Sequence, residues 1–193
     1  VLENVADQGG VMALLLDETF QRVHNIACWQ RTAMAMAALY GKDEELWKRA
    51  IDGPFGIRRQ MEDGVTSDGL WLEQSLGYNS YVVSAVLPLF EHAGLEGRLG
   101  ELQRPAEIAE NLMLGPSVLR FPDGKLPTPA DSTGITHKWP ELGILTAARR
   151  VFPTPMGLQA VAGQRNWDNL LDPPEPLTKA PELPAVESRS LES

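Results

Sequence analysis

Apolar residues spaced three or four positions apart are the feature that most constrains the fold of this chain. The first such run consists of Ile26, Trp29, Ala33, Ala37 and Tyr40. It lies in a stretch rich in the good helix formers Ala and Met and is followed by Gly41, a residue typical of a helix end. The alternation of apolar and polar residues that marks a strand does not occur before about residue 180. The sequence therefore predicts an all-α fold.

Capping residues and prolines divide the chain into further helical segments. The segments predicted to be helical are 44–51, a short stretch near 55–62, Tyr78 to about Gly94, 105–114 and 140–152. Asp43 suits the N-cap of the helix over 44–51, and Pro88 should kink the helix that contains it because proline lacks a backbone donor. The run 121–127 is rich in turn residues and is predicted to be a loop.

Length and charge exclude several classes of partner. The 193 residues are 43% hydrophobic and 22% charged, which is ordinary for a globular domain that buries one core. A formal charge of −9 disfavours nucleic-acid binding, which normally uses a basic face. The apolar run over 11–16 ends at Asp17, far short of the roughly 18 residues of a membrane span. We therefore expect neither nucleic acid nor membrane as a partner.

The cysteine and histidine content points away from metal chemistry. Cys28 is the only cysteine, so the chain cannot form an internal disulfide or a cysteine-rich zinc site. His92 and His137 lack a partner at metal-ligand spacing, and we predict neither a metal nor a cofactor. Cys28 lies four residues after His24, which would suit a thiol nucleophile, but a small buried side chain is the better explanation.

The candidate chemistry lies in two stretches, 24–30 and 68–78, which contain His24 and Tyr78. Histidine, with an ordinary pKa of about 6.5, can accept a proton near neutral pH, whereas tyrosine, at about 10, stays protonated and can donate one. Each positioned acid or base contributes roughly a hundredfold to ten-thousandfold in rate. The pair suits proton abstraction from an acidic sugar and protonation of the departing oxygen.

These stretches, and the chain from about Asn25 to Ser132, resemble the heparinase II/III-like and oligoalginate-lyase family of polysaccharide lyases. The resemblance implies a partial (α/α) toroid of antiparallel helical hairpins and an acidic polysaccharide or oligosaccharide as the partner. It implies cleavage of a uronic-acid polymer by β-elimination, with His24 as the base and Tyr78 as the acid; Tyr81 is the rival for the tyrosine role. A periplasmic or secreted location follows from the family, and a cytoplasmic one stays open.

The same resemblance suggests a group that neutralises the substrate carboxylate. Many relatives carry an asparagine immediately before the histidine, but this chain has Val23 there. Asn25, Gln30 and Arg31 are the nearby candidates, and Asn25 is preferred.

Aromatic and acidic side chains complete the predicted substrate-binding set. An indole offers a broad apolar face for a sugar, and Trp71, in a turn, is the predicted platform. Trp29 is expected in the core because it falls on the apolar stripe. Glu73 would either bind a sugar hydroxyl or anchor its own loop, and Tyr81 is included as a neighbour of Tyr78.

Proline content divides the chain into a helical part over 1–171 and a tail over 172–193. The tail holds five prolines and no aromatic residue, which bars regular helix. By resemblance, 183–189 looks like the entry into a C-terminal β-sandwich domain missing from this chain. We therefore expect an internal piece of a larger enzyme that is inactive on its own.

The sequence is also compatible with two alternative functions. A glycoside hydrolase on an α-toroid would use paired carboxylates such as Asp68 and Glu73, facing each other across a cleft of roughly 5 to 10 Å. A non-catalytic helical interaction module is suggested by the helix-turn-helix pattern over 39–51. It ranks third because no fixed-period repeat recurs.

Overall fold

The computed structural model describes Gly9, Val11, Leu15, residues 20–130 and residues 142–152. Over these ranges the chain is mostly helical and contains no strand or sheet, only one isolated antiparallel bridge between Val65 and Trp71. The predicted all-α class is confirmed for this part of the chain. The tail over 172–193, the boundary at 171 and His137 lie outside the described residues.

The helices occur close to where capping and periodicity predict them. They are α1 (Asn25–Gly41), α2 (Glu44–Asp52), α3 (Ile57–Gly64), α4 (Leu76–Leu95), α5 (Gln103–Leu114) and α6 (Leu142–Ala147). Short 3₁₀ segments occupy Leu99–Leu102, Gly115–Leu119 and Ala148–Arg150. Helix α4 begins two residues before Tyr78 and continues through Pro88. The last helix is shorter than the predicted 140–152, since a 3₁₀ turn replaces its second half.

Side-chain caps fix the starts of the first two helices. Asp43 accepts a hydrogen bond from the Leu46 backbone N–H at 2.9 Å, which confirms it as the N-cap of α2. Lys42, with φ of 55°, reverses the chain between α1 and α2. His24 is the N-cap of α1, where its Nδ1 accepts from the Ile26 N–H at 3.1 Å. A candidate catalytic side chain therefore also has a structural function.

Helices α1 and α4 pack side by side and run in the same direction. Trp29 contacts Tyr81 near the start of the two helices, and Tyr40 contacts His92 near their ends. Both contacts join residues 52 positions apart, which only a parallel pair allows. The N-termini of α1 and α4 therefore lie at one end of the fold, and His24 and Tyr78 lie at that end.

Helices α1 and α4 differ from α2 and α3 in how much of their surface is buried. Helix α2 buries one face, formed by Leu46, Trp47, Ala50 and Ile51. Helices α1 and α4 are buried around most of their circumference, as expected of central helices.

The apolar stripe that predicts α1 from the sequence faces outward. Ile26 and Trp29 are each 40% exposed, and Tyr40 is 53% exposed. The core side of α1 is formed instead by small or flexible side chains, namely Ala27, Cys28, Met34, Ala35 and Ala38. These residues let neighbouring helices approach closely, which leaves the bulky residues on the outside. The prediction that Trp29 belongs to the core is wrong for this reason.

A cluster of charged side chains links α2 to the turn after α4. This cluster should make the stability of the fold depend on pH. Arg98 bonds Glu101 and Glu44 and lies 4.2 Å from the Trp47 ring centroid. The hydrogen bond from Arg98, and a second from the Trp47 indole, hold the pKa of Glu101 below its ordinary value of 4.5. This stabilisation is present above that ordinary value and is lost as the pH falls through the lower folded-state value.

We therefore expect the urea midpoint of the wild-type chain to fall on acidification from about pH 6 to about pH 3. Glu101→Gln should lower the midpoint near pH 6 and flatten its dependence below that pH. Asp63→Asn, at an exposed i,i+4 pair with Arg59, is the control and should change little. If the urea midpoint depended equally on pH in the wild type and in the Glu101 variant, this account would be contradicted.

Candidate active site

Glu73 connects the loop before α4 to the start of α1. Its Oε1 accepts from the Asn25 backbone N–H at 3.2 Å, and its Oε2 accepts from the Asn25 side-chain amide at 2.5 Å. The His24 Nε2 lies 4.0 Å from the same Oε1. A carboxylate is favoured here because the free backbone N–H groups of a helix start carry partial positive charge. Of its two predicted roles, Glu73 thus fills that of loop anchor.

The N-cap hydrogen bond determines which ring nitrogen of His24 carries the hydrogen. Because Nδ1 accepts from the Ile26 N–H, the neutral ring carries its hydrogen on Nε2, on the side of Glu73. The ring is partly exposed, at 24% of its side-chain surface, and tilts against Phe20 with centroids 5.1 Å apart. In this geometry His24 presents a donor. To accept a proton at Nδ1 as the predicted base, His24 must first break its hydrogen bond with the Ile26 N–H.

A buried amide holds the chain as it enters α1. Gln60, on α3, is fully buried, and its Oε1 accepts from the His24 backbone N–H at 3.0 Å. Its Nε2 donates to the carbonyls of Arg22 at 3.0 Å and Phe55 at 3.1 Å. Gln60 therefore fixes the His24 backbone from the side of the core.

A second buried amide holds the loop that leads to Glu73. Asn79, on α4, accepts from the Trp71 backbone N–H at 3.0 Å and donates to the carbonyls of Gly69 and Leu112, each at 2.9 Å. Neither Asn79 nor Gln60 was predicted from the sequence. The available signal was an amide among apolar neighbours on the buried face of a helix, since a buried polar group needs partners.

Three partly exposed aromatic rings form a strip beside this end of the helices. The Trp29 and Tyr81 centroids are 5.4 Å apart, and the Tyr81 and Tyr78 centroids are 6.4 Å apart. Tyr81 is 42% exposed, comparable to Trp29, whereas Tyr78 is half-buried. We call Trp29, Tyr81 and Tyr78 the aromatic strip. It joins both predicted tyrosines in one surface, within two turns of the start of α4.

The structure reverses the predicted roles of two tryptophans. Trp71, expected to be an exposed sugar platform, is 1% exposed and lies against Gly64 with no room for a Cβ between them. Its indole face cannot meet a sugar, because the bridge to Val65 and the bond to Asn79 turn the residue inward. Trp29, expected in the core, offers the exposed indole.

The predicted carboxylate-binding groups are also placed differently from expectation. Arg31 is 1% exposed and donates to the carbonyls of Phe55 at 3.1 Å and Phe20 at 3.3 Å, so its guanidinium serves the fold. Asn25 is 6% exposed and donates to Glu73. Gln30 is half-buried on α1. Of the predicted set, only Tyr81 is freely exposed next to Tyr78.

Comparison with known protein families, with curated proteins and with solved structures finds no match to this chain. Among the described residues, no group of three or more His, Cys, Asp or Glu side chains is placed to hold a metal ion. None of the helices in this part of the chain is long and apolar enough to cross a membrane.

Cys28 should be unreactive in the folded protein. Burial, together with the negative charge of Glu73, raises the pKa of its thiol well above the ordinary value, and the thiol contacts the Gln60 Oε1 at 3.9 Å. Thiolate is the reactive species, so we expect iodoacetamide to label the folded chain at least a hundredfold more slowly than the urea-unfolded chain at the same pH. Mass spectrometry measures both rates. Comparable rates would contradict the buried placement.

Proposed function

We propose that this chain forms part of the active-site cleft of a polysaccharide lyase that cleaves uronic-acid-containing polysaccharide by β-elimination. The supporting observation is that an imidazole, a phenol and an exposed aromatic strip occur together at the N-terminal end of α1 and α4. Tyr78 and His24 would exchange protons with the sugar, and Trp29 and Tyr81 would stack on sugar faces.

The parallel pair of central helices supports a partial (α/α) toroid as the scaffold of this enzyme. In such a toroid, inner helices run parallel to one another and each is joined to an outer helix. Here the apolar pair α1 and α4 would be inner helices, and the amphipathic α2 and α3 would be outer ones. In this arrangement, each predicted antiparallel hairpin would consist of one inner helix and its outer partner. The two inner helices, α1 and α4, would be parallel to each other.

The cap on His24 constrains how this residue could take part in proton transfer. Because the cap holds the hydrogen of neutral His24 on Nε2, this ring is prepared to donate to the substrate and can act as a base only after uncapping. The Tyr78 hydroxyl, like that of its rival Tyr81, can both donate and accept a proton. We keep His24 as the base and Tyr78 as the acid, with release of the Ile26 cap as the accompanying step.

Binding by the isolated 193-residue chain tests the cleft without requiring turnover. We expect short uronate oligosaccharides, such as mannuronate and guluronate trimers, to bind saturably in isothermal titration calorimetry. Trp29→Ala should weaken this binding about fivefold, since stacking on an exposed ring contributes on the order of 1 kcal/mol. Tyr40→Ala is the matched control, because Tyr40 is an exposed aromatic at the opposite end of the same helix. Equal losses of affinity in both variants would show that the aromatic strip is not part of the binding site.

Product chemistry separates lyase from hydrolase in an active enzyme that contains this chain. A lyase leaves an unsaturated sugar that absorbs ultraviolet light, whereas a hydrolase that used Asp68 and Glu73 would leave a saturated one. Glu73 is already bonded to Asn25 at both oxygens, which disfavours its use as a hydrolytic carboxylate. Reducing ends without ultraviolet absorbance would overturn the lyase proposal, and oligosaccharide binding without any cleavage would favour the non-catalytic alternative.

A further inference from the structure

His24 caps α1 in a way that only its neutral form allows. Its Nδ1 accepts a hydrogen bond from the Ile26 N–H at 3.1 Å, with the His24 backbone extended at the N-cap. Protonation places a hydrogen on both ring nitrogens, so an imidazolium has no acceptor left for this bond. The start of a helix also carries partial positive charge, which disfavours a cation there. Protonation of His24 must therefore break the cap.

The carboxylate of Glu73 lies within reach of the same ring. Its Oε1 is 4.0 Å from the His24 Nε2, and both side chains are partly exposed. A carboxylate has about four acceptor positions, and Glu73 uses two of them for the backbone and side-chain N–H groups of Asn25. A small rotation of the imidazolium would therefore allow one of its N–H groups to donate to Glu73 without displacing Asn25.

The other groups that surround the ring do not offer it a second anion. Arg22, a cation, lies 5.4 Å from the centroid of the Phe20 ring, on which the His24 ring packs. Helix α3 faces His24 with the neutral amide of Gln60, which accepts from the His24 backbone N–H. On α1, the Cys28 thiol stays protonated because burial raises its pKa. Glu73 is therefore the group that can receive a charged imidazole.

The remaining titratable side chains near this end belong to α3 and α4. Asp63, next to the α3 residue that meets the Val23 side chain, is exposed and paired with Arg59 at 2.9 Å. Helix α4 contributes the phenols of Tyr78 and Tyr81. Histidine is the side-chain type whose charge ordinarily changes between about pH 5 and 8, so titration in this range acts on the start of α1 through the ring that caps it.

We propose that His24 is a pH switch at the start of α1. In its neutral state the ring caps the helix through Nδ1. In its protonated state the ring releases the Ile26 N–H, turns and forms an ion pair with Glu73. The first turn of α1 thus has two arrangements, and pH sets their populations. This switch is independent of the proposed lyase activity, because it requires neither a saccharide nor turnover.

Nuclear magnetic resonance of the ¹⁵N-labelled 193-residue chain observes both states. At about pH 8 the His24 ring should show an unprotonated Nδ1 and a protonated Nε2, and toward about pH 5 both nitrogens should become protonated. Over the same range, the protection factor of the Ile26 amide against exchange with water should fall about fivefold, as expected when an N-cap is lost.

Three variants separate this switch from a general loosening of the helix in acid. His24→Asn keeps a cap that does not titrate, so the protection of Ile26 should be the same at both ends of the pH range. Glu73→Gln removes the anion that receives the imidazolium, so release of the cap should move to lower pH. His92→Asn is the matched control, since His92 contacts Tyr40 at the opposite end of the helix pair, and it should behave like the wild type.

Constant protection of Ile26 while the His24 ring becomes protonated would overturn the proposal. So would a ring that stays neutral down to about pH 5. An equal loss of protection in His24→Asn would show that acid opens the helix start without this histidine, which is also incompatible with the switch. An unchanged transition in Glu73→Gln would contradict the ion pair on which the protonated state depends.

Discussion

Replacing Tyr78 by phenylalanine is expected to lower turnover about a hundredfold or more in an active enzyme that contains this chain. The change removes a single hydroxyl and leaves the ring, which packs against the core and against Tyr81. A positioned proton-transfer group contributes roughly a hundredfold to ten-thousandfold, so the loss should be in kcat more than in KM. Initial rates with a uronate polymer, measured as ultraviolet absorbance of the unsaturated product, provide the measurement.

Tyr81→Phe is the matched control for this experiment. Tyr81 lies one turn further along α4 and is the more exposed of the two phenols. If it only stacks on sugar, its variant should keep kcat within a few fold. A large loss in Tyr81→Phe together with near-normal turnover in Tyr78→Phe would transfer the acid role to Tyr81.

Two substitutions of His24 separate its chemistry from its capping. His24→Asn can still accept from the Ile26 N–H, since asparagine is among the best N-cap residues, whereas His24→Ala cannot. Both should lose turnover about a hundredfold or more, but only the alanine variant should also lose about 1 kcal/mol of stability. Turnover that survives in His24→Asn would mean that the histidine is needed only as a cap.

Asn79→Ala is expected to lower the free energy of unfolding by roughly 3 kcal/mol. Asn79 is fully buried, and its removal leaves the Trp71 N–H and the carbonyls of Gly69 and Leu112 without a partner. Each such loss costs on the order of 1 kcal/mol or more. Urea unfolding followed by circular dichroism measures the difference.

Asn111→Ala is the control for Asn79→Ala, because it removes the same side chain from an exposed helical position next to this loop. Its effect should stay within about 0.5 kcal/mol. If Asn79→Ala were equally mild, water would be replacing the lost amide, and the loop before Glu73 would be held by its backbone contacts alone.

The helices could be predicted from the sequence because capping and periodicity are local signals. Asp43 and Gly41 mark helix ends within a few residues of their own positions, whatever surrounds them. Which side of a helix meets the core is a different matter, since it depends on the neighbours. Helix α1 is apolar on nearly every side, so its sequence alone could not tell that Trp29 faces outward.

The candidate site shows the same division between local and long-range information. Residue chemistry draws attention to His24, Glu73 and Tyr78 from the sequence, although their joint role remains a prediction. The bonds that arrange this region, from Gln60 to His24 and from Asn79 to Trp71, cross 36 and 8 positions respectively. Arg31 and Trp71 have the side chains expected of a binding site, but long-range packing turns both inward.

The parallel packing of α1 and α4 gives this acidic chain an electrical polarity along the helix axes. Each helix places roughly half a positive elementary charge at its N-terminus and half a negative one at its C-terminus. In an antiparallel pair these fields would largely cancel, but here they add. The positive end of the pair coincides with the loop that carries Glu73, so the combined field favours this carboxylate at the start of α1.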